Sequence, residues 1–95
     1  MILSSLAWSK DTTLENLVIR DGLYYEKFTD VPYTGNITGK VQGKINKGRE
    51  DGPWLKYYDN GNLKSKTYYE DGLEHGEVFS YFENGQLKFK SIFKM

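Results

Sequence analysis

Lysines alternate with apolar or small side chains in two stretches of the second half of the chain, Leu63-Lys64-Ser65-Lys66 and Leu87-Lys88-Phe89-Lys90. Because successive side chains of a β-strand point to opposite faces, each alternation predicts a strand with one apolar and one charged face. Asn60-Gly61 or Asn84-Gly85 precedes each stretch and follows aromatic residues. Asn-Gly readily adopts the two positive φ angles of a type I′ turn. The pattern therefore predicts two β-hairpins with two-residue turns.

The two hairpins are copies of one unit. A displacement of about 24 residues brings residues 57–66 onto residues 81–90, a self-similarity typical of repeat architectures. The same displacement superposes two pairs of glycines and places three tyrosines in one column: Gly48 and Gly52 on Gly72 and Gly76, and Tyr33, Tyr57 and Tyr81. Residues 33–95 therefore hold about two and a half units.

The turn positions predict which residues of the strands face each other. Five cross-strand pairs are expected: Trp54 with Thr67, Tyr57 with Lys64, Tyr58 with Leu63, Tyr81 with Lys88 and Phe82 with Leu87. A polar loop over residues 70–76 is predicted to join the hairpins, so that the units form an antiparallel meander. Upstream, residues 37–45 are predicted as one long strand. Its inward glycines, Gly39 and Gly43, would let a neighbouring aromatic ring pack closely.

The alternation also divides the side chains between two faces of the sheet. One face is predicted to be buried and carries Trp54, Tyr58, Leu63, Tyr69, Val78, Phe82, Leu87, Phe89 and Phe93. The other is predicted to be the binding face and carries Tyr57, Lys64, Lys66, Tyr81, Lys88 and Lys90. On this second face a lysine over a tyrosine ring would gain a cation–π contact of about 0.5–1 kcal/mol.

The N-terminal third departs from the repeat. Residues 17–26 predict a further hairpin with a turn at Asp21-Gly22, although Thr12 and Glu15 could form a capping box that starts a helical turn instead. Stacked repeats expose an apolar end unless something covers it, so residues 11–32 are predicted to cap the array formed by residues 33–95. At the other end, the strand after Leu87 is predicted to be an open edge, able to pair with another chain as in an edge-strand dimer. The predicted fold is an all-β antiparallel meander of stacked hairpins in a single domain over residues 11–95.

The repeat pattern is Tyr-Tyr-Asp/Glu-Asn-Gly-Gln-Leu-Lys, followed by Tyr-x-Asp-Gly-x-x-x-Gly-x-x-x-x-Tyr. It occurs here at residues 57–64, 69–81 and 81–88 and resembles the bacterial variant of the MORN repeat, over about residues 17–95. The first unit departs from the pattern, with Gly35-Asn36 in place of Asn-Gly. Relatives of this kind are often labelled YwqK-like antitoxins. The resemblance thus implies a protein that binds and neutralises a cognate toxin.

Composition narrows the function further. The chain has 95 residues, with 13 Lys and Arg against 13 Asp and Glu, so its formal net charge is zero. Because a dedicated nucleic-acid binder carries a basic excess, no nucleic-acid partner is expected. The absence of cysteine excludes disulfides, thiolate catalysis and zinc fingers. No apolar run reaches the length of a membrane-spanning helix, so no transmembrane segment is expected.

Candidate catalytic groups are sparse. His75 is the single histidine and lies beside Glu74, with no nucleophile or second imidazole to complete a site. The acidic residues recur at turn positions, where Asp and Asn stabilise the backbone, which favours a structural role over metal or glycosidase chemistry. We therefore expect a non-catalytic module without cofactor or metal. It would bind a protein, or an anionic lipid or glycan surface of the cell envelope, through the Lys/Tyr face and the open edge.

The first ten residues are a separate segment. Ala7 and Ser9 fit the small-residue positions before a signal-peptidase cut, which favours a signal-peptide remnant and an exported or envelope location. The apolar run is short and lacks a positively charged start, so a disordered tail on a cytoplasmic protein is the alternative interpretation.

Overall fold

The computed structural model describes residues 11–93. Residues 1–10, on which the signal-peptide prediction falls, and residues 94–95 lie outside the described residues. No helical segment between residues 11 and 93 has the length and apolar character of a membrane span.

A hairpin in the N-terminal third forms a two-stranded sheet of its own, which we call the N-terminal layer, while the strand before it joins the long sheet. Strand β1 (Asp11–Thr12) is followed by one turn of 3-10 helix (Leu14–Asn16) and by the hairpin of β2 (Leu17–Arg20) and β3 (Leu23–Glu26). Asp21 and Gly22 both have positive φ, 51° and 80°, which confirms the predicted two-residue turn. The helical alternative survives only as that short turn, which begins after Thr13.

The remaining strands build one long sheet. They are β4 (Gly35–Ile37), β5 (Val41–Asn46), β6 (Arg49–Glu50), β7 (Gly52–Tyr57), β8 (Leu63–Glu70), β9 (Leu73–Glu74), β10 (Gly76–Tyr81) and β11 (Leu87–Phe93). The order across the sheet is β1-β4-β5-β7-β8-β10-β11, with β6 beside β5 and β9 beside β8. Every pairing is antiparallel except that of β1 with β4. The predicted all-β architecture of stacked hairpins is therefore confirmed.

The sequence repeat is also a repeat of strand pairing. Trp54 faces Thr67 across β7 and β8, and the residues that follow each of them by one period, Val78 and Ser91, face each other across β10 and β11. Between units, Gln42 faces Leu55 and Lys66 faces Phe79 in the same relation. The period of the sequence thus sets which backbone groups meet.

The Asn-Gly turns differ from the prediction. Gly61 has positive φ, but Asn60 does not, so this turn is not of type I′. Instead the Asn60 side-chain oxygen accepts a hydrogen bond from the backbone N–H of Asn62 at 2.9 Å, and a β-bulge follows. Asn84, Gly85 and Gln86 repeat this arrangement. The loop is longer than the predicted two residues because the asparagine side chain accepts a hydrogen bond from the backbone N–H two residues later.

A two-residue turn occurs within the predicted loop, and a second one occurs one period earlier. Asp71 and Gly72 have φ of 54° and 84°, and Lys47 and Gly48 have 51° and 87°. The predicted polar loop over residues 70–76 is therefore wrong. Glu70 pairs directly with Leu73 across a tight hairpin, and Gly76, with φ of 81°, marks a bulge after it.

The long strand predicted over residues 37–45 is also wrong. Gly39, with φ of 101°, reverses the chain, so that Ile37 ends β4 and pairs with Gly43 on β5. The close aromatic packing is confirmed at one of the two glycines. A Cβ on Gly43 would lie 2.3 Å from the ring of Trp54, which leaves room for no side chain there.

The core lies at the N-terminal end of the sheet. Its buried residues are Leu17, Tyr33, Ile37, Ile45 and Trp54, with Leu14, Tyr24, Val41 and Tyr69 packed against them. Tyr33 belongs to this core and precedes β4, whereas Tyr57 and Tyr81 end their strands half-buried, so the predicted column joins only the last two.

The face predicted to be buried is covered only in part. Trp54 is 5% exposed, while Phe82, Leu87, Phe89 and Phe93 are between 41% and 54% exposed. The prediction was wrong for these four residues because the buried core lies against the first strands of the sheet and includes no residue of β10 or β11.

Candidate binding surface

Cations and apolar side chains alternate across four neighbouring strands. Lys66 on β8 faces Leu55 on β7 and Phe79 on β10, and Phe79 faces Lys90 on β11. Because directly opposed residues point to the same side of a sheet, these four side chains form one row. We call the side of the sheet that carries this row the outer face.

Phe79 is the aromatic centre of the row. The Lys90 ammonium lies 5.7 Å from the centre of its ring, within cation–π range, and Lys66 flanks it on the other strand. The Tyr81 ring stacks on Phe79 with centroids 6.4 Å apart and planes inclined by 14°. Three of the six predicted site residues, Lys66, Tyr81 and Lys90, are therefore brought together around a residue that the sequence analysis did not single out.

Phe79 was missed because Val78 and Phe79 are both apolar and adjacent, so alternation alone does not say which one faces outward. The repeat carried a usable signal. Phe79 is equivalent to Leu55, and both pair with Lys66, whose own position in an alternating run was clear.

The other predicted lysines contact different rings from those expected. The Lys64 ammonium lies 5.6 Å from the ring of Tyr58, and that of Lys88 lies 5.7 Å from Phe82. The predicted pairs Tyr57–Lys64 and Tyr81–Lys88 are wrong, because each bulge moves the tyrosine opposite a leucine, Leu63 or Leu87. Tyr57 itself is tied into the sheet, where its backbone N–H donates to the carbonyl of Lys40 at 2.8 Å.

The charge on the outer face is largely uncompensated. Lys90 lies 3.5 Å from the carboxylate of Glu77. Lys64, Lys66 and Lys88 have no carboxylate within 4.0 Å among residues 11–93. Two acidic residues at turns pair with cations elsewhere in the sheet. Arg49 pairs with Asp71 at 3.5 Å, and a hydrogen bond from Lys40 holds the pKa of Asp59 below its usual range.

A shallow groove of about 540 Å³ adjoins the row, lined in part by Lys66, His75 and Phe79 and by three carboxylates, those of Asp51, Glu70 and Glu77. His75 is exposed, and its backbone N–H donates to the carbonyl of Tyr68 at 2.8 Å. Within the described part of the chain no group of three or more His, Cys, Asp or Glu residues is placed to hold a metal ion. The groove offers a mixed polar and aromatic wall beside the lysines.

The opposite face holds a smaller pocket of about 210 Å³ between the sheet and the N-terminal layer. Tyr24 and Tyr69 line it, and burial raises the pKa of both phenols, with a smaller contribution from the Glu50 carboxylate. Trp54 meets Tyr69 edge-to-face, with ring centroids 6.2 Å apart. These contacts join the N-terminal layer to the sheet, so we assign them to stability.

The turns of successive units are bonded to each other. The Tyr58 hydroxyl donates to the carbonyl of Tyr81 at 2.8 Å. The amides of Asn60 and Asn62 both donate to the carbonyl of Glu83, at 3.1 and 2.8 Å. These bonds hold β8, β10 and β11 in register at one end and thus fix the spacing of the lysines on the outer face.

Comparison with known proteins supports the repeat interpretation. The family model for the MORN repeat variant matches residues 50–72 and residues 74–95. The first match spans β7 and β8 and the second spans β10 and β11, so each match is one hairpin of the structure. No curated protein and no solved structure matches the chain. Residues 50–72 and 74–95 are thus each similar to the MORN repeat variant.

Proposed function

We propose that the chain is a non-catalytic binding module that holds an acidic protein surface against its outer face. The observation that carries the proposal is the row Lys66–Phe79–Lys90, in which two cations flank an aromatic ring on three adjacent strands. The two stretches similar to the MORN repeat variant support it, since they supply these three strands.

The physical basis is charge complementarity on a rigid support. Carboxylates of a partner would meet Lys64, Lys66 and Lys88 without first displacing an ion pair within residues 11–93. Complementary charges raise the association rate and suppress wrong partners. The half-buried rings of Phe79 and Tyr81 add apolar contact area at low cost in conformational entropy, as aromatic residues do in protein interfaces.

A sheet face also suits a protein better than a deep-binding small ligand. The groove beside the row is open, and its wall mixes Lys66 with Glu77, which would place opposite charges on different parts of a partner's surface. A membrane surface with anionic lipids is the competing target, since it would attract the same lysines but would not attract the Glu77 carboxylate.

The test compares two charge reversals of equal size. Lys66→Glu with Lys90→Glu reverses the row, whereas Lys44→Glu with Lys47→Glu reverses two exposed lysines near the opposite end of the sheet. Tagged proteins would be used to capture partners from the native cells, and bound proteins would be identified by mass spectrometry. We expect one stoichiometric partner that the row variant loses by about tenfold or more and the control variant retains.

Two results would contradict the proposal. Equal capture by both variants would remove the outer face from partner binding. Binding of the wild type to vesicles containing phosphatidylglycerol, with loss in the row variant and no protein captured, would show a membrane surface as the target. A captured protein that arrests growth on its own and is neutralised by co-expression of this chain would specify the partner as a toxin.

A further inference from the structure

Strand β11 is the last strand of the sheet among the described residues. It pairs with β10 on one side, and within residues 11–93 no strand pairs with its other side. The repeat shows which backbone groups point to that open side. The carbonyl of Tyr68 on β8 accepts a hydrogen bond from the backbone N–H of His75, which directly precedes β10, so this carbonyl points away from β7. Ile92 on β11 is the residue equivalent to Tyr68. By alternation along the regular part of β11, which follows the bulge at Lys88, the backbone N–H and C=O groups of Lys90 and Ile92 point to the open edge.

We infer that this edge binds an extended, acidic segment of a partner protein, which adds to the sheet as an antiparallel strand. The inference rests on the proposed function and names the part of the partner that is bound. Main-chain hydrogen bonds to an edge strand supply affinity, and alternating side-chain positions supply specificity. Here Lys90 and Ile92 would face alternate residues of the incoming strand on the outer side, and the half-exposed Phe89 and Phe93 would face the residues between.

Charge argues for a foreign strand over a second copy of the chain. In an antiparallel pair of two β11 strands centred on Phe89, Lys88 of each copy lies opposite Lys90 of the other. A pair centred on Lys90 places that lysine opposite itself. Like charges directly opposite each other destabilise a strand pair, and edge lysines are a common means of preventing self-association. Carboxylates at the same positions would be attracted.

The last turn provides an anchor for one end of the incoming strand. Asn84 and Gln86 are equivalent to Asn60 and Asn62, whose amides bond the carbonyl of Glu83 in the following unit. Among residues 11–93, the Asn84 amide nitrogen donates only to the Gln86 side chain, at 3.5 Å. In an antiparallel arrangement the carboxyl end of the added strand lies beside this turn, where its carbonyls would accept hydrogen bonds from Asn84 and Gln86.

The probe is a nine-residue peptide in which glutamate and valine alternate. Two controls share its length and pattern. In one, lysine replaces glutamate. In the other, alternate backbone nitrogens are methylated, which removes edge hydrogen bonds and leaves the charges in place. Binding would be measured by titration calorimetry, and hydrogen exchange of β11 would be followed by NMR.

We expect the glutamate peptide to bind, the lysine peptide not to bind, and N-methylation to weaken binding by about tenfold or more. The amides of Lys90 and Ile92 should gain protection on binding, while the amide of Phe89, which points to β10, should already be protected. Ile92→Pro, which keeps every lysine but removes an edge N–H, should weaken binding in the same way.

The outcomes separate this inference from the proposed function. No binding of the glutamate peptide, or binding unaffected by N-methylation and without protection in β11, would overturn edge addition. The outer face would still be the partner site if Lys66→Glu with Lys90→Glu abolished capture. Protection of the same amides in the free protein would also overturn the inference. It would assign the edge to a second copy if the protein sediments as a dimer, or to residues 1–10 if their deletion removes the protection.

Discussion

The two halves of the sheet follow one pairing scheme but differ in how deeply equivalent side chains are buried. Around β5 and β7 a large ring meets a glycine, since Trp54 lies against Gly43 and closes the core. One period later the equivalent positions hold Val78 and Thr67, two side chains of middle size that remain half-buried. The repeat therefore specifies strand pairing, while the side chains at equivalent positions decide whether a face of the sheet becomes core or surface.

The largest expected difference between the halves is the cost of truncating equivalent residues. Trp54→Ala removes a buried ring and should lower the free energy of unfolding by about 3–5 kcal/mol. Val78→Ala, at the equivalent half-buried position, should cost less than about 1.5 kcal/mol, since little cavity forms on an open face. Urea denaturation measures both free energies of unfolding, with circular dichroism of the backbone as the probe because tryptophan fluorescence changes when Trp54 is removed. Equal costs would contradict the assignment of the core to the N-terminal half.

The Gly43–Trp54 contact can be tested by exchange between the repeats. Gly43→Thr alone forces a Cβ into the Trp54 ring and should destabilise the fold by about 1–3 kcal/mol. Its cost should fall sharply when Trp54→Val is already present, because the double variant reproduces the Thr–Val combination of the second unit. A double-mutant cycle in urea measures this coupling. Additive effects would show that glycine is needed at position 43 for a reason other than the ring.

The turns offer a matched pair with a smaller effect. Asn60 makes both a bond within its own turn and a bond to the carbonyl of Glu83, whereas Asn84 bonds only within its own turn in the described part of the chain. Asn60→Ala should therefore cost about 1 kcal/mol more than Asn84→Ala, the usual contribution of one hydrogen bond. Thermal and urea midpoints measured side by side would check this. A reversed order would argue against bonding between the turns.

Alkaline pH should weaken the N-terminal half by a modest amount. Burial raises the pKa of Tyr24, Tyr33 and Tyr69 above the ordinary value of 10.0. Above that pH the unfolded chain releases phenolic protons that the folded chain retains, so stability is complete below pH 10 and falls as the pH rises beyond it. Urea midpoints at successive pH values should show the loss, and Tyr69→Phe should reduce it. The exposed Tyr68→Phe is the control, and an equal reduction there would contradict the assignment.

Much of the sheet could be predicted because the repeat is local. The alternation of lysines with small or apolar residues after Leu63 and Leu87 was enough to identify two strands, and Asp21-Gly22 was enough to identify a hairpin. The bulges were not predictable from alternation, because they depend on whether the Asn60 and Asn84 side chains bond to the backbone two residues on. Because of these bulges, Lys64 and Lys88 lie over the rings of Tyr58 and Phe82 and not over the expected tyrosines.

Burial was harder to predict than pairing. Alternation tells which side chains share a face, but the covering of Trp54 and the exposure of Phe89 depend on where the β2–β3 hairpin packs, a tertiary fact. The outer face was partly predicted. Lys66, Tyr81 and Lys90 come together, but Phe79, which organises them, lies beside another apolar residue and gives no periodic signal.

Hydrogen exchange of the protein, free and with its captured partner, tests the division of the molecule most directly. We expect the slowest exchange in β5 and β7 and faster exchange in β11, with protection on partner binding confined to β8, β10 and β11. Protection that appears instead in β2, β3 and β5, with the C-terminal strands unchanged, would contradict the placement of the binding surface on the second half of the sheet.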